Sequence, residues 1–149
     1  MTAITADTRH HASSRSGQES LKALAAGHAH WLPRIAFASV FLFHGVDKLV
    51  NVAGFAQMMG LPLAAAWLVT FAEIAAGVGV LAGPLLRRDW ITRLAGVAAM
   101  PVLLGAIVMV HWGQWSFVPS DSHPMGGMEF QAVLLLLALW FVAVGNRTA

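Results

Sequence analysis

Six ionisable side chains interrupt stretches of otherwise apolar sequence: His44, Asp47, Lys48, Glu73, His111 and Glu129. If the segment around the first three is helical, His44 and Lys48 are i and i+4 while His44 and Asp47 are i and i+3, so all three can lean toward one face. Imidazole and carboxylate groups gathered in an apolar setting can accept and release protons, hydrogen-bond a ring oxygen, or ligate a metal ion. An ionisable group near the centre of a bilayer costs roughly 2.5 to 3.5 kcal/mol even on the lenient insertion scale. These residues therefore need partners or a water-filled cavity.

The elements that position them follow from hydropathy. The chain has 149 residues, of which 58% are hydrophobic and 11% charged, with a mean hydropathy of +0.68. That is too apolar for a soluble domain of this size and marks an integral membrane protein. The apolar residues gather into four runs, residues 33–52, 61–83, 90–112 and 128–145, each near the length that crosses a bilayer as a helix. The runs lack the apolar/polar alternation of a spanning barrel. The expected fold is all-α, a four-helix membrane bundle over residues 31–149 preceded by a polar, disordered tail over residues 1–30. The absence of cysteine excludes disulfides, thiolate chemistry and cysteine-held metal clusters.

In the tail, His10-His11 and His28-x-His30 have spacings that could bind a metal but are more simply solvated, and residues 22–30 could form a short interfacial helix before Trp31. Pro33 suits a first helical turn, with Arg34 as an interfacial anchor and His44 near mid-membrane, about 15 Å further along. A short loop over residues 51–60 turns the chain. Glu73 stands alone in the second run, reaching the depth of His44 from the opposite direction, and small residues from Ala72 to Gly83 predict close helix approach. Pro101 predicts a kink in the third run. His111 closes that run, a loop over residues 113–128 without Lys or Arg offers a lid or docking surface, and Glu129 opens the fourth run. Arg9, Arg15, Lys22, Arg34, Arg87, Arg88, Arg93 and Arg147 fall on one side of the bilayer and Lys48 toward the other. By the positive-inside rule both termini are cytoplasmic and the location is a bacterial inner membrane. This placement also makes nucleic-acid binding an unsuitable explanation of the basic pI.

The six residues can converge on one polar pocket in the outer half of the bundle. The alternative for each is structural: Glu73 paired with Lys48, His111 bonded to a backbone carbonyl, Glu129 complementing a helix start. Leu42-Phe43-His44-Gly45-Val46-Asp47-Lys48, Glu73 in an Ala/Gly-rich second helix, His111 ending the third and Gly126-Gly127-Met128-Glu129 opening the fourth resemble the DoxX family of small membrane proteins, over about residues 33–145. The match lies at His44, Gly45, Lys48, Glu73, His111 and Glu129. The resemblance implies a four-helix membrane protein linked to redox complexes, including the membrane subunit of thiosulfate:quinone oxidoreductase or terminal quinol oxidase.

Four functions are compatible with these residues. In a quinone-linked oxidoreductase subunit, Glu73 is the proton acceptor, His44 orients the ring oxygen, Lys48 balances charge, and Asp47, His111 and Glu129 complete the binding set. In a metal site, His44, Glu73, His111 and Glu129 ligate iron, zinc or manganese; bis-His haem through His44 and His111 is a weaker version. In a non-catalytic anchor, the polar groups hold the bundle while residues 113–128 dock a periplasmic subunit of a redox complex. A transporter would require oligomerisation, because the helices show no inverted repeat. The expected partners are the lipid bilayer and other membrane or periplasmic subunits, and a homo-oligomer is compatible with the sequence.

Overall fold

The computed structural model describes residues 22–147. The His10-His11 pair and the expectation of a disordered tail over its first 21 residues lie outside the described residues. The described chain is all-helical, and the four expected apolar runs each form a helix. Helix α1 is Trp31–Val50, α2 Val52–Met59, α3 Leu63–Leu85, α4 Asp89–Ala106 continuing into a π turn Ile107–His111, and α5 Glu129–Val144. A helical turn over residues 22–28 leads into α1 and breaks at residues 29–30. Helices α3 and α4 with its π turn are long and apolar enough to cross a membrane, and the stretch Lys22–Val50, which contains α1, forms with α2 a third such segment bent by 99°. The 16 residues of α5 extend about 24 Å, a little short of the hydrocarbon thickness.

The helices pack in the order α1, α3, α4, α5, with only sparse contact between α1 and α5. Small residues set the close approaches, as the sequence predicts. At Gly77 a β-carbon would lie 2.7 Å from Leu42 Cγ and 3.2 Å from the Ala38 carbonyl, and at Gly79 one would lie 2.7 Å from Ala95 Cβ. Larger residues at those positions would push α3 away from α1 and α4. Phe37, Phe41, Val80, Leu103, Leu134 and Phe141 fill the core between them.

The connection expected as a loop over residues 51–60 is instead mostly helical. The Asn51 side chain accepts a hydrogen bond from the Gly54 N–H at 2.9 Å, capping the start of α2, and Gly60 ends it in the left-handed conformation at φ 63°. Val52 and Ala56 bury one face of α2 against Ala66 of α3, so this short helix lies across the end of the bundle. Helix α4 continues as α-helix through Pro101 to Ala106, and its irregular turn falls later, at Ile107–His111.

Candidate functional site

Polar residues group at the two ends of the bundle. The basic end carries Arg34, Arg87, Arg88 and Arg93; the opposite end carries Lys48, Glu73, His111 and Glu129. Arg34 is not the interfacial anchor expected from its position near the start of α1, because its side chain is fully buried. Its guanidinium donates to the Val80 carbonyl of α3 at 3.2 Å, to Thr92 Oγ1 of α4 at 3.5 Å and to the Gly145 carbonyl after α5 at 3.0 Å. It also lies 5.3 Å from the centre of the Phe141 ring. Thr92 Oγ1 donates onward to Asn146 Oδ1 at 2.7 Å, and Asp89 accepts from the Asn146 N–H at 2.6 Å. Arg93 binds the last carbonyls of α5, including Ala143 at 3.1 Å, so a cation meets the negative end of that helix. Thr92, Asn146 and this role of Arg34 were missed in the sequence. Thr92 stands beside Arg93 and Asn146 beside Arg147, so both read as interfacial and give no signal of a buried contact.

At the opposite end, Lys48 Nζ donates to both oxygens of Glu73, at 2.9 and 2.8 Å. Glu73 is 5% exposed. Gly45, one turn before Lys48, makes the pair reachable: a β-carbon there would meet Ile74 Cγ1 at 2.8 Å and Glu73 Cβ at 3.2 Å, so α1 and α3 touch at that level. The Lys48 ammonium also lies 5.1 Å from the centre of the Phe55 ring on α2. Helix α2 thus covers the ion pair from the open end and supplies a π-face to the cation. Phe55 gives no sign of this role in the sequence, because the bend that brings it over Lys48 depends on the Asn51 cap and not on hydropathy.

His44 and Asp47 do not join this pair. Both are exposed on the flank of α1, and neither makes a hydrogen bond to another described residue. The spacing that let His44 share a face with Lys48 leaves it about 40° around the helix, enough to turn it out of the interior. Phe37 and His44 lie two turns apart on nearly one stripe. At the Phe37 level the seam between α1 and α5 is closed, with the Phe37 and Phe141 rings 5.2 Å apart. At the His44 level it is open, and the imidazole meets the edge of Phe43, 5.4 Å away.

His111 and Glu129 form a third arrangement. His111 Nδ1 bonds the Gly126 carbonyl at 2.8 Å and Nε2 lies 2.9 Å from Gln131 Nε2. Because a carbonyl only accepts, the neutral ring carries its proton on Nδ1 and Nε2 accepts from the Gln131 amide. Both nitrogens are thereby used. Gln131 was also missed, though a glutamine on the Leu134, Ala138 and Phe141 face of an apolar helix marks a polar contact. The Gly127, Met128 and Glu129 N–H groups donate to the Ser116, Gln114 and Trp115 carbonyls at 2.8, 3.0 and 2.9 Å, so the returning loop satisfies the free donors at the start of α5. Glu129 accepts from the Phe117 N–H at 3.3 Å.

The single pocket expected from six converging residues therefore resolves into a closed Lys48–Glu73 pair, an outward His44 with Asp47, and a loop anchor at His111 and Glu129. The expected metal set of His44, Glu73, His111 and Glu129 is not gathered, and among the described residues no three His, Asp or Glu side chains are placed to hold a metal ion. The physical reason is that Glu73, His111 and Glu129 spend their polar atoms on Lys48, Gln131 and loop backbone. The same bonds keep His111 from serving with His44 as a haem ligand pair.

The DoxX family model matches residues 30–112, a span that includes His44, Gly45, Lys48, Glu73 and His111. The chain belongs to the DoxX family. Over 119 residues, 78% of this DoxX chain and 78% of its relative, it is 29% identical to a Bacillus subtilis (strain 168) protein named "Putative oxidoreductase CatD". No solved structure matches the chain. Glu129 and the Gln131 contact to His111 lie beyond the family match.

Proposed function

We propose that this DoxX protein is the membrane subunit of a redox complex and that its Lys48–Glu73 end serves the quinone pool. The observation that carries the reading is the juxtaposition on α1 of an imidazole open to the bilayer and, one turn on, a buried ammonium–carboxylate pair. The oxidoreductase named among its relatives supports the redox class. The residues fit the group chemically: a quinone needs an apolar wall and a hydrogen-bond donor reachable from lipid, and Phe43 with His44 supplies both. When bound, a quinone supplies two-electron, two-proton chemistry.

In this reading His44 donates a hydrogen bond to a ring oxygen at the open seam between α1 and α5. Glu73 takes up and releases a proton, with Lys48 holding the carboxylate in place and balancing its charge while it is ionised. Helix α2, through Phe55, keeps bulk water away from the pair. The electron donor is a separate subunit. Residues 113–128 offer it a surface, since Trp115, Phe117, Val118 and Met125 are all more than half exposed on a loop tied down by its own backbone bonds. Arg34, Arg87, Arg88, Arg93 and Arg147 at one end support a reading in which both termini face the cytoplasm of a bacterial cell and the chain lies in its plasma membrane.

Extraction of quinone from the purified protein tests the site. Wild type should carry quinone in near-stoichiometric amount, and His44→Ala should carry at least ten-fold less. Equal quinone in the two proteins would remove His44 from the site, and none in wild type would leave the chain as a docking and anchoring subunit.

A further inference from the structure

Within α1, α3, α4 and α5 every charged, hydroxyl, amide or imidazole side chain except two makes a hydrogen bond to another described residue. Ser39 and Thr70 return their hydroxyls to Ala36 and Ala66 carbonyls at 2.8 Å, and the charged and amide groups pair as described above. The two exceptions are His44 and Asp47, one turn apart on one flank of one helix. Hydrocarbon satisfies neither of them.

The flank has the pattern of a helix seam. Ala36, Val40, Phe43, Asp47 and Val50 follow one another at spacings of four, three, four and three residues, and all are exposed except the half-buried Val40. That alternation is the repeat with which one long helix seats along another. Phe43 is 70% exposed and Val50 83%. Helix α3 occupies the other side of α1, at Leu42 and Gly45, and α5 reaches α1 only at the basic end, so no element of the described chain covers the stripe.

We infer that this flank of α1 is an interface with a second copy of the same chain, in which His44 of each protomer is hydrogen-bonded to the partner's Asp47. The occupant follows from charge complementarity. The flank carries a donor and an acceptor one turn apart, and a two-fold axis along the bilayer normal lays the same flank of the partner beside it, so each His44 reaches diagonally, about one turn in depth, to the partner's Asp47 and two equal pairs form. An unrelated partner would have to present an acceptor and a donor at these same two depths. The arrangement deepens the quinone reading without depending on it. One imidazole nitrogen is held by the partner's Asp47 and the other faces the seam with α5, where a ring oxygen could bond it.

Because the chain contains no cysteine, Phe43→Cys introduces a single thiol on the stripe for oxidative cross-linking in native membranes. A covalent species of twice the chain's mass should form at least ten-fold more than with Leu136→Cys on α5 or Val78→Cys on α3, whose parent residues are also exposed. Adding His44→Ala or Asp47→Asn should lower the yield at least three-fold, and exchanging the two residues, His44→Asp with Asp47→His, should restore most of it. A yield no higher than the controls, or a cross-link to a protein of different mass, would overturn the interface. A yield unchanged by His44→Ala and Asp47→Asn would overturn the pairing. The wild-type protein in lipid nanodiscs should contain two chains per particle, and one chain per particle would also overturn it. These readouts report association alone, so they can fail while quinone binding stands, and the reverse.

Discussion

At the basic end Arg34 spreads its charge over two carbonyls, a hydroxyl and an aromatic ring drawn from α3, α4 and α5, whereas at the opposite end Lys48 bonds a single carboxylate on α3 beneath the Phe55 ring of α2. The first arrangement uses neutral dipoles and ties four helices with a group that stays charged at any working pH. The second concentrates opposite charges in a pair that protonation of Glu73 would neutralise. The seam between α1 and α5 follows the same division, closed beside Arg34 by Phe37 and Phe141 and open beside His44. In the proposed function one end is scaffold and the other is where a proton and a bilayer-borne group meet.

Removing one member of the ion pair should have the largest effect. Glu73→Ala leaves the Lys48 ammonium unpaired among apolar side chains and should cost about 3 to 5 kcal/mol, read from denaturant unfolding in detergent. The double change Lys48→Met with Glu73→Met should recover most of that loss. If the single variant were as stable as wild type, the pair would not be the buried unit described. Arg34→Met comes next, at about 2 to 3 kcal/mol, since it removes charged hydrogen bonds and leaves the Val80 and Gly145 carbonyls without this donor. The contrast sharpens if Arg34→Lys rescues little, because an ammonium cannot reach three separated acceptors as a planar fork does. Gln131→Ala should cost about 1 kcal/mol, with faster amide exchange at Gly127 to Glu129 as the loop loosens.

Much of the fold was legible because apolar run length and small-residue content follow directly from the bilayer. The Lys48–Glu73 pair was legible too, as the structural alternative for Glu73, since an isolated glutamate and a lysine at helix-compatible depths have few other partners. The convergence of His44 was not. A spacing of four residues still rotates a side chain by about 40°, and only the splay of α1 from α5 decides whether that rotation ends in the interior or on the flank. Arg34 misled for a related reason. Proximity to a helix end suggests an interface, but the Gly83 and Gly145 backbones let α4 and the end of α5 come close enough to enclose it. The α2 bend depended on the Asn51 cap, a local contact that hydropathy does not register.

The division between a scaffolding end and a working end is tested most directly by titrating nanodisc-embedded protein with decylubiquinone and following thermal unfolding of the same samples. His44→Ala should weaken binding at least ten-fold while costing less stability than Arg34→Met, because His44 lies outside the core of each bundle. Arg34→Met should show the converse, lowered stability with binding retained in the folded fraction. A His44→Ala protein that binds decylubiquinone as wild type does would contradict the account.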